Sequence, residues 1–200
     1  MTGDTGKPQA SALENIETKS AEETRLLGQA LAEFLDAGDL VILEGELGAG
    51  KTTFTQGLGA GLGVKQRVTS PTFIIARTHR AESGSGKPQL VHVDAYRLEG
   101  GDDVDALDLE SALENSIVVV EWGRGKVEDL SAHTLLIELK RPQTEEIPVT
   151  GTIADIPGDT NCMATFRSVS GNWNLSGVKE AWQSLVAAAN AAVQNDDTEE

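Results

Sequence analysis

The stretch LVILEGELGAGKTTFTQGLG, Leu40 to Gly59, runs four apolar residues into a glycine-rich turn and then a lysine and two threonines. Glycine loses more backbone freedom on folding than any other residue and buries no side chain. Gly45, Gly48 and Gly50 therefore mark a place where bare backbone is needed. Gly45-Glu46-Leu47-Gly48-Ala49-Gly50-Lys51-Thr52 fits the pattern G-x-x-x-x-G-K-[ST] without a gap. Phosphate oxygens need several donors converging at short range, and successive backbone N–H groups of such a loop can turn inward around them. A helix beginning near Gly50 adds free N–H groups and the positive end of its dipole. The backbone of Glu46, Leu47, Gly48, Ala49 and Gly50, with Lys51, Thr52 and Thr53, is thus the expected phosphate cradle. Lys51 reaches the β- and γ-phosphates as a point charge, and the Thr52 hydroxyl is a Mg²⁺ ligand.

A cradle of this kind needs a strand before it and a helix after it, and both are legible. Leu40 to Leu43 reads as a buried strand, and Phe54, Leu58 and Leu62 share one helical face that Gly61 and Gly63 are expected to stop. Upstream, residues 1–19 are polar and read as unstructured. Ser20 with Glu23 forms a capping box before Leu27, Ala30, Leu31 and Phe34 at helical spacing. Thr72 to Thr78 reads as a strand, and LVHVDAYR alternates, with His92, Asp94 and Tyr96 on one face. The polar link between them suggests an inserted antiparallel hairpin. DDVDALDLESALE reads as a short acidic helix, SIVVVEWG as a central strand ending in Glu121, and HTLLIELK as a further strand.

The expected fold is therefore α/β: a P-loop NTPase-like mixed β-sheet flanked by helices, with an inserted hairpin. Residues 20–141 form the core. Residues 142–175 complete it with edge strands and loops, TGTIADIPGD and CMATFRSVSG being the candidate strands. Residues 176–193 read as an amphipathic helix in which Trp182 packs inward, and residues 194–200 as an acidic tail.

Composition narrows the function. The 32 acids against 16 bases leave a formal charge of −16, which repels a phosphate backbone and disfavours free-standing nucleic-acid binding. No apolar run reaches the roughly eighteen residues needed to span a bilayer. The first thirty residues carry Glu14, Glu17, Glu22 and Glu23 and no apolar core, so no signal peptide and no membrane partner are expected, and the cytoplasm is the expected location. Cys162 is the sole cysteine, which leaves no internal disulfide and no multi-cysteine metal site.

Hydrolysis needs more than a cradle: a metal-associated acid and a group that senses the γ-phosphate. Glu121 ends a buried strand, at the sheet edge where α/β proteins hold ligands. Asp94 shares a strand face with His92 and Tyr96 and can hold a metal-bound water. Thr72, after Ser70-Pro71, is placed as a switch threonine that ligates Mg²⁺. His92 is read as a hydrogen-bonding brace, Trp122 as either a stacking or a core residue, and Arg97 as facing either phosphate or a nearby acid.

With these pieces in place the chain resembles the TsaE (YjeE) family of small bacterial P-loop ATPases. The markers are GELGAGKTTFTQGL, VTSPTFII, HVDAYRL and IVVVEWG, in order, between about Ser20 and Lys140. The resemblance implies ATP and Mg²⁺ as cofactors, slow hydrolysis, and a role in forming threonylcarbamoyladenosine at position 37 of tRNA. It also implies a TsaB–TsaD partner complex, with tRNA met only indirectly through those partners. By motif, Lys51 and Thr52 become the phosphate and metal residues and Thr72 the switch threonine. Asp94 and Glu121 become the catalytic or metal-associated acids, and Trp122 a nucleotide-side or partner-side aromatic. The segment beyond residue 142 departs from the compact family pattern. Competing readings are a small-molecule kinase, a nucleotide-gated adaptor that does not hydrolyse, and a GTPase suggested by DIPG at Asp155 to Gly158. The last lacks an N-K-x-D guanine motif. Replacing Lys51 removes the charge on the β/γ-phosphates, so Lys51→Ala is expected to abolish tight ATP binding in calorimetry; an unchanged affinity would contradict the cradle.

Overall fold

The computed structural model describes residues 12–71, 75–98, 101–141 and 161–196. Its centre is β2 (Leu40–Glu44), in which four successive apolar residues are fully buried. No polar residue alternates with them because both faces of this strand are covered. Val41 and Leu43 point toward helices α1 (Ala21–Leu31) and α2 (Lys51–Gly61), and Leu40 and Ile42 toward the opposite layer. Parallel neighbours flank it, β5 (Ser116–Glu121) on one side and β6 (Thr134–Lys140) on the other. Beyond β5 lies parallel β4 (Gln89–Asp94), then antiparallel β3 (Ala76–His79), the hairpin expected from the alternating sequence. Beyond β6 come antiparallel β7 (Cys162–Ser170) and β1 (Ala12–Thr18). The order β1-β7-β6-β2-β5-β4-β3 makes a mixed, seven-stranded sheet. The second layer is made by the short helices α3 (Gly101–Asp105) and α4 (Leu109–Leu113), and α5 (Val178–Asp196) packs outside α1.

Several local expectations hold. Ser20 Oγ accepts from the Glu23 N–H at 3.1 Å, and Glu23 Oε2 accepts from the Lys19 N–H at 2.8 Å, so the helix start is capped from both sides. Trp182 packs inward and donates its indole N–H to the Glu23 carbonyl at 3.0 Å, tying α5 to the start of α1. Among the described residues no helix is long and apolar enough to cross a membrane.

Others do not. Residues 12–18 are a strand rather than part of an unstructured segment, because β7 offers them a paired edge that composition cannot reveal. β7 is accordingly an interior strand and not an edge. The first hairpin strand occupies Ala76–His79, later than the sequence suggested, and Thr72 lies outside the described residues. TGTIADIPGD, with its DIPG, lies outside them too. The acidic helix is two helices, divided at Asp108 with φ +48°.

α2 stops at Gly61, as expected, with Leu62 at its C-cap and Gly63 at φ +74° just beyond. The glycines inside α2 also serve packing. A Cβ on Gly57 would lie 1.7 Å from the Arg25 carbonyl oxygen, and one on Gly28 of α1 would lie 2.1 Å from that of Phe54. The two backbones are therefore in direct contact, which fixes α2, and with it the loop at its head, against α1. In an exposed helix Gly→Ala raises stability by up to about 1 kcal/mol. Gly57→Ala is expected to lower it here by about 1–3 kcal/mol through overpacking, read as a lower urea midpoint; an unchanged or higher midpoint would contradict the close approach.

Candidate functional site

Four chain segments converge at the C-terminal ends of the parallel strands. The first is the loop from β2 to α2. A Cβ on Gly45 would lie 2.4 Å from the Leu139 carbonyl oxygen, so the loop passes too close to β6 for any side chain. Gly50, at the N-cap of α2, has φ +108°, which L side chains rarely adopt. Both glycines are required by geometry, as the sequence pattern implied.

Lys51 is only 5% exposed. Its ammonium donates to the carbonyls of Gly45 at 2.6 Å and Glu46 at 3.0 Å, and lies 3.8 Å from the centre of the Trp122 ring. Burial holds its pKa below the ordinary lysine value, while Glu121, Glu44 and Asp94 pull the other way. The charge is thus kept in place by two loop carbonyls and an aromatic face.

The second and third segments are the ends of β5 and β4. Strand register sets Glu121 beside Asp94 on adjacent parallel strands. Glu121 Oε1 accepts from Thr52 Oγ1 at 3.0 Å and lies 2.8 Å from His92 Nε2. Asp94 Oδ1 accepts from the Tyr96 N–H at 3.1 Å, and Asp94 Oδ2 lies 3.5 Å from Ser70 Oγ. Trp122 follows Glu121 with φ +62°, a left-handed conformation costly for a non-glycine residue. Its N–H donates to the Leu43 carbonyl at 3.0 Å, and its ring lies 5.5 Å from that of Tyr96.

These groups line a cavity of about 630 Å³, a volume typical of small-ligand sites. Of the expected residues, Leu47, Gly48, Gly50, Lys51, Thr52, Thr53, Asp94, Glu121 and Trp122 line it. Glu46 contributes its carbonyl to Lys51 and does not line the cavity. Ala49 is buried beneath the loop, with Cys162 Sγ 3.6 Å from its carbonyl oxygen. Ser70, Tyr96, Arg97 and Arg141 also line the cavity. HVDAYR carried a signal for Tyr96 and left Arg97 undecided. Nothing in the sequence pointed to Arg141, which reaches the site only because β6 lies next to β2.

The donors suit a hard cation. A hydroxyl, Thr52, and two carboxylates, Asp94 and Glu121, meet at the cavity, and no group of three or more His, Cys, Asp or Glu placed to hold a metal occurs among the described residues. Mg²⁺ is usually held by one or two carboxylates together with substrate phosphates, not by an all-protein cage, so this set fits.

The basic residues after β5 are tied back. Lys126 Nζ donates to the Ala95 carbonyl at 2.5 Å, and Arg124 pairs with Glu138 at 3.0 Å. The Arg124 N–H also donates to Glu44 Oε1 at 2.9 Å, pinning the turn behind Trp122 to β2. Glu138 accepts from Arg167 Nε at 2.8 Å as well, and that bond holds its carboxyl below the usual glutamate value of 4.5. A depressed folded-state pKa stabilises above the unfolded value and is lost as pH falls through the folded one. Acid unfolding is therefore expected to include a Glu138 contribution lost below pH 4.5. In Arg167→Met the Glu138 carboxyl, followed by NMR, should titrate closer to that usual value; an unmoved titration would contradict the assignment.

A family profile described as threonylcarbamoyl adenosine biosynthesis protein TsaE matches residues 18–147. A tRNA threonylcarbamoyladenosine biosynthesis protein TsaE of Streptomyces coelicolor is 60% identical over 118 residues, covering 58% of this chain and 78% of that protein. The protein of the same name from Bacillus subtilis is 39% identical over 136 residues, covering 68% of this chain and 82% of that protein. A crystal structure of Bacillus subtilis YdiB is similar with a TM-score of 0.59 and 29% identity, covering 88% of this chain and 96% of that one.

Proposed function

The chain belongs to the TsaE family, and from that membership and the cavity's chemistry we propose that it binds and slowly hydrolyses ATP with Mg²⁺ in the formation of tRNA threonylcarbamoyladenosine. The observation that carries this reading is the meeting of Thr52, Glu121 and Asp94 at the mouth of a glycine loop holding a buried lysine. The loop N–H groups and the head of α2 bind the phosphates. Lys51 exchanges two carbonyl partners for phosphate oxygens, which accept more strongly because they are charged. Mg²⁺, when bound, neutralises charge on the β- and γ-phosphates and fixes their orientation. Thr52 with Asp94 and Glu121 would hold it, directly or through water. The carboxylate of Asp94 or Glu121 orients the attacking water, and Trp122 with Tyr96 covers the side of the cavity. Thr72 completes this reading as the switch threonine.

The net charge of −16 suits a chain that meets tRNA through partners rather than by its own surface. A TsaB–TsaD complex is the proposed partner, and the cytoplasm the proposed location. Arg124 and Lys126 are held away by Glu138 and Ala95, so neither supplies the basic lid expected of a small-molecule kinase.

A pull-down with and without ATP and Mg²⁺, scored for co-purified TsaB and TsaD and for released phosphate, tests the whole reading. Nucleotide-dependent capture with free phosphate is expected. A phosphorylated acceptor would favour a kinase, and capture with intact ATP an adaptor. Glu121→Gln is expected to leave the ATP dissociation constant within about threefold while lowering turnover by about 10²-fold or more. Wild-type turnover in that variant would remove Glu121 from the mechanism.

A further inference from the structure

The sheet face toward α2 carries two buried histidines directly behind Glu121, His92 on β4 and His79 on β3. Register sets Arg77 opposite His92 and His79 opposite Leu90, so the two imidazoles are diagonal neighbours on one face. Leu90, Ile117 and Val119 share that core, with Arg77 the charged neighbour on the same face. Nδ1 of His92 and both ring nitrogens of His79 have no hydrogen-bond partner among the described residues. Burial, with His92 and Arg77 adding to it, holds the His79 imidazole below the ordinary histidine pKa. A polar ring left partly unsatisfied in such a core costs stability that a leucine or phenylalanine would not. Among the described residues, the hydrogen bond His92 makes through its side chain is with Glu121 Oε1, at 2.8 Å.

The need for that contact follows from the length of Glu121. An aspartate at a strand end has a short side chain with one torsion between backbone and carboxyl group; glutamate has a further methylene and so a further rotor. One hydrogen bond from Thr52 leaves the carboxylate free to swing about it. A second donor to the same oxygen removes that freedom. A carboxylate oxygen only accepts, so Thr52 Oγ1–H and His92 Nε2–H both donate to Oε1. Oε2 is then the oxygen that remains for the cavity.

We propose that His92 is a positioning residue that locks Glu121, dividing its carboxylate into a structural oxygen, Oε1, and a working oxygen, Oε2. This rests on the ATPase reading above, and it assigns His92 no contact with substrate. His79 lies behind the lock and closes its far side with an uncharged ring.

The test compares wild type, His92→Phe and His92→Gln in the full chain, with the partner complex present. Phenylalanine keeps the ring volume and removes the donor; glutamine restores an N–H at similar reach. His92→Phe is expected to keep the ATP dissociation constant within about threefold and to lower kcat by about 10- to 100-fold, the scale of a misplaced catalytic group. His92→Gln is expected to recover most of that loss. Wild-type kcat in His92→Phe would overturn the proposal, and so would a His92→Gln variant as slow as His92→Phe. A denaturation cycle over His92→Phe, Glu121→Leu and the double variant needs no nucleotide. It is expected to show non-additivity of roughly tenfold in the folding constant; additivity overturns the lock whatever the turnover. A wild type that releases no phosphate, together with a coupled cycle, would instead overturn the ATPase reading and leave the lock standing.

Discussion

Lys51 carries an ammonium into a loop almost closed to water, and that charge organises the site. Desolvation opposes it, so oxygens must surround it. Two of them are carbonyls of its own loop, from Gly45 and Glu46, and the Trp122 ring covers another side. Carboxylates at Glu121, Glu44 and Asp94 add to the field. Those two loop carbonyls point at the lysine, and the loop's own Ala49 N–H donates back to the Glu46 carbonyl at 3.0 Å. The rest of the fold holds that arrangement still. Gly45 lets the loop pass against β6, and the glycine contact of α2 with α1 fixes the helix at its end.

The sheet supplies the acids. Parallel pairing of β4 with β5 sets Asp94 next to Glu121, and parallel pairing of β2 with β5 brings both to the lysine loop. All three strands end at the same edge because they are parallel, and ligands in α/β proteins collect at that edge. The turn after Glu121 takes an unfavourable left-handed conformation at Trp122, and ties from Arg124 to Glu44 and Glu138 hold it. Strain at that point places the indole over Lys51 instead of in the core.

Much of this was legible in the residues and some was not, for physical reasons. The glycine spacing, the apolar run of β2 and the acid at the end of β5 are local patterns, and they located the loop, the central strands and nine of the cavity residues. The β1 strand was invisible because its pairing partner lies far along the chain, at Cys162–Ser170. Arg141 was missed for the same kind of reason, its place depending on which strand lies beside β2. The packing role of Gly57 was not legible, since sequence shows a helical glycine's cost in isolation and not the backbone packed against it. His92 was readable as a brace from the alternation of β4, but its partner became evident only when the strands were laid side by side.

The central claim, that this loop is built around a triphosphate, is tested most directly by a crystal structure with a non-hydrolysable ATP analogue and Mg²⁺. The account predicts phosphate density between Gly45 and Thr53, with the Lys51 ammonium moved from the Gly45 and Glu46 carbonyls onto phosphate oxygens. Nucleotide density elsewhere, with Lys51 still bonded to its own loop, would contradict it.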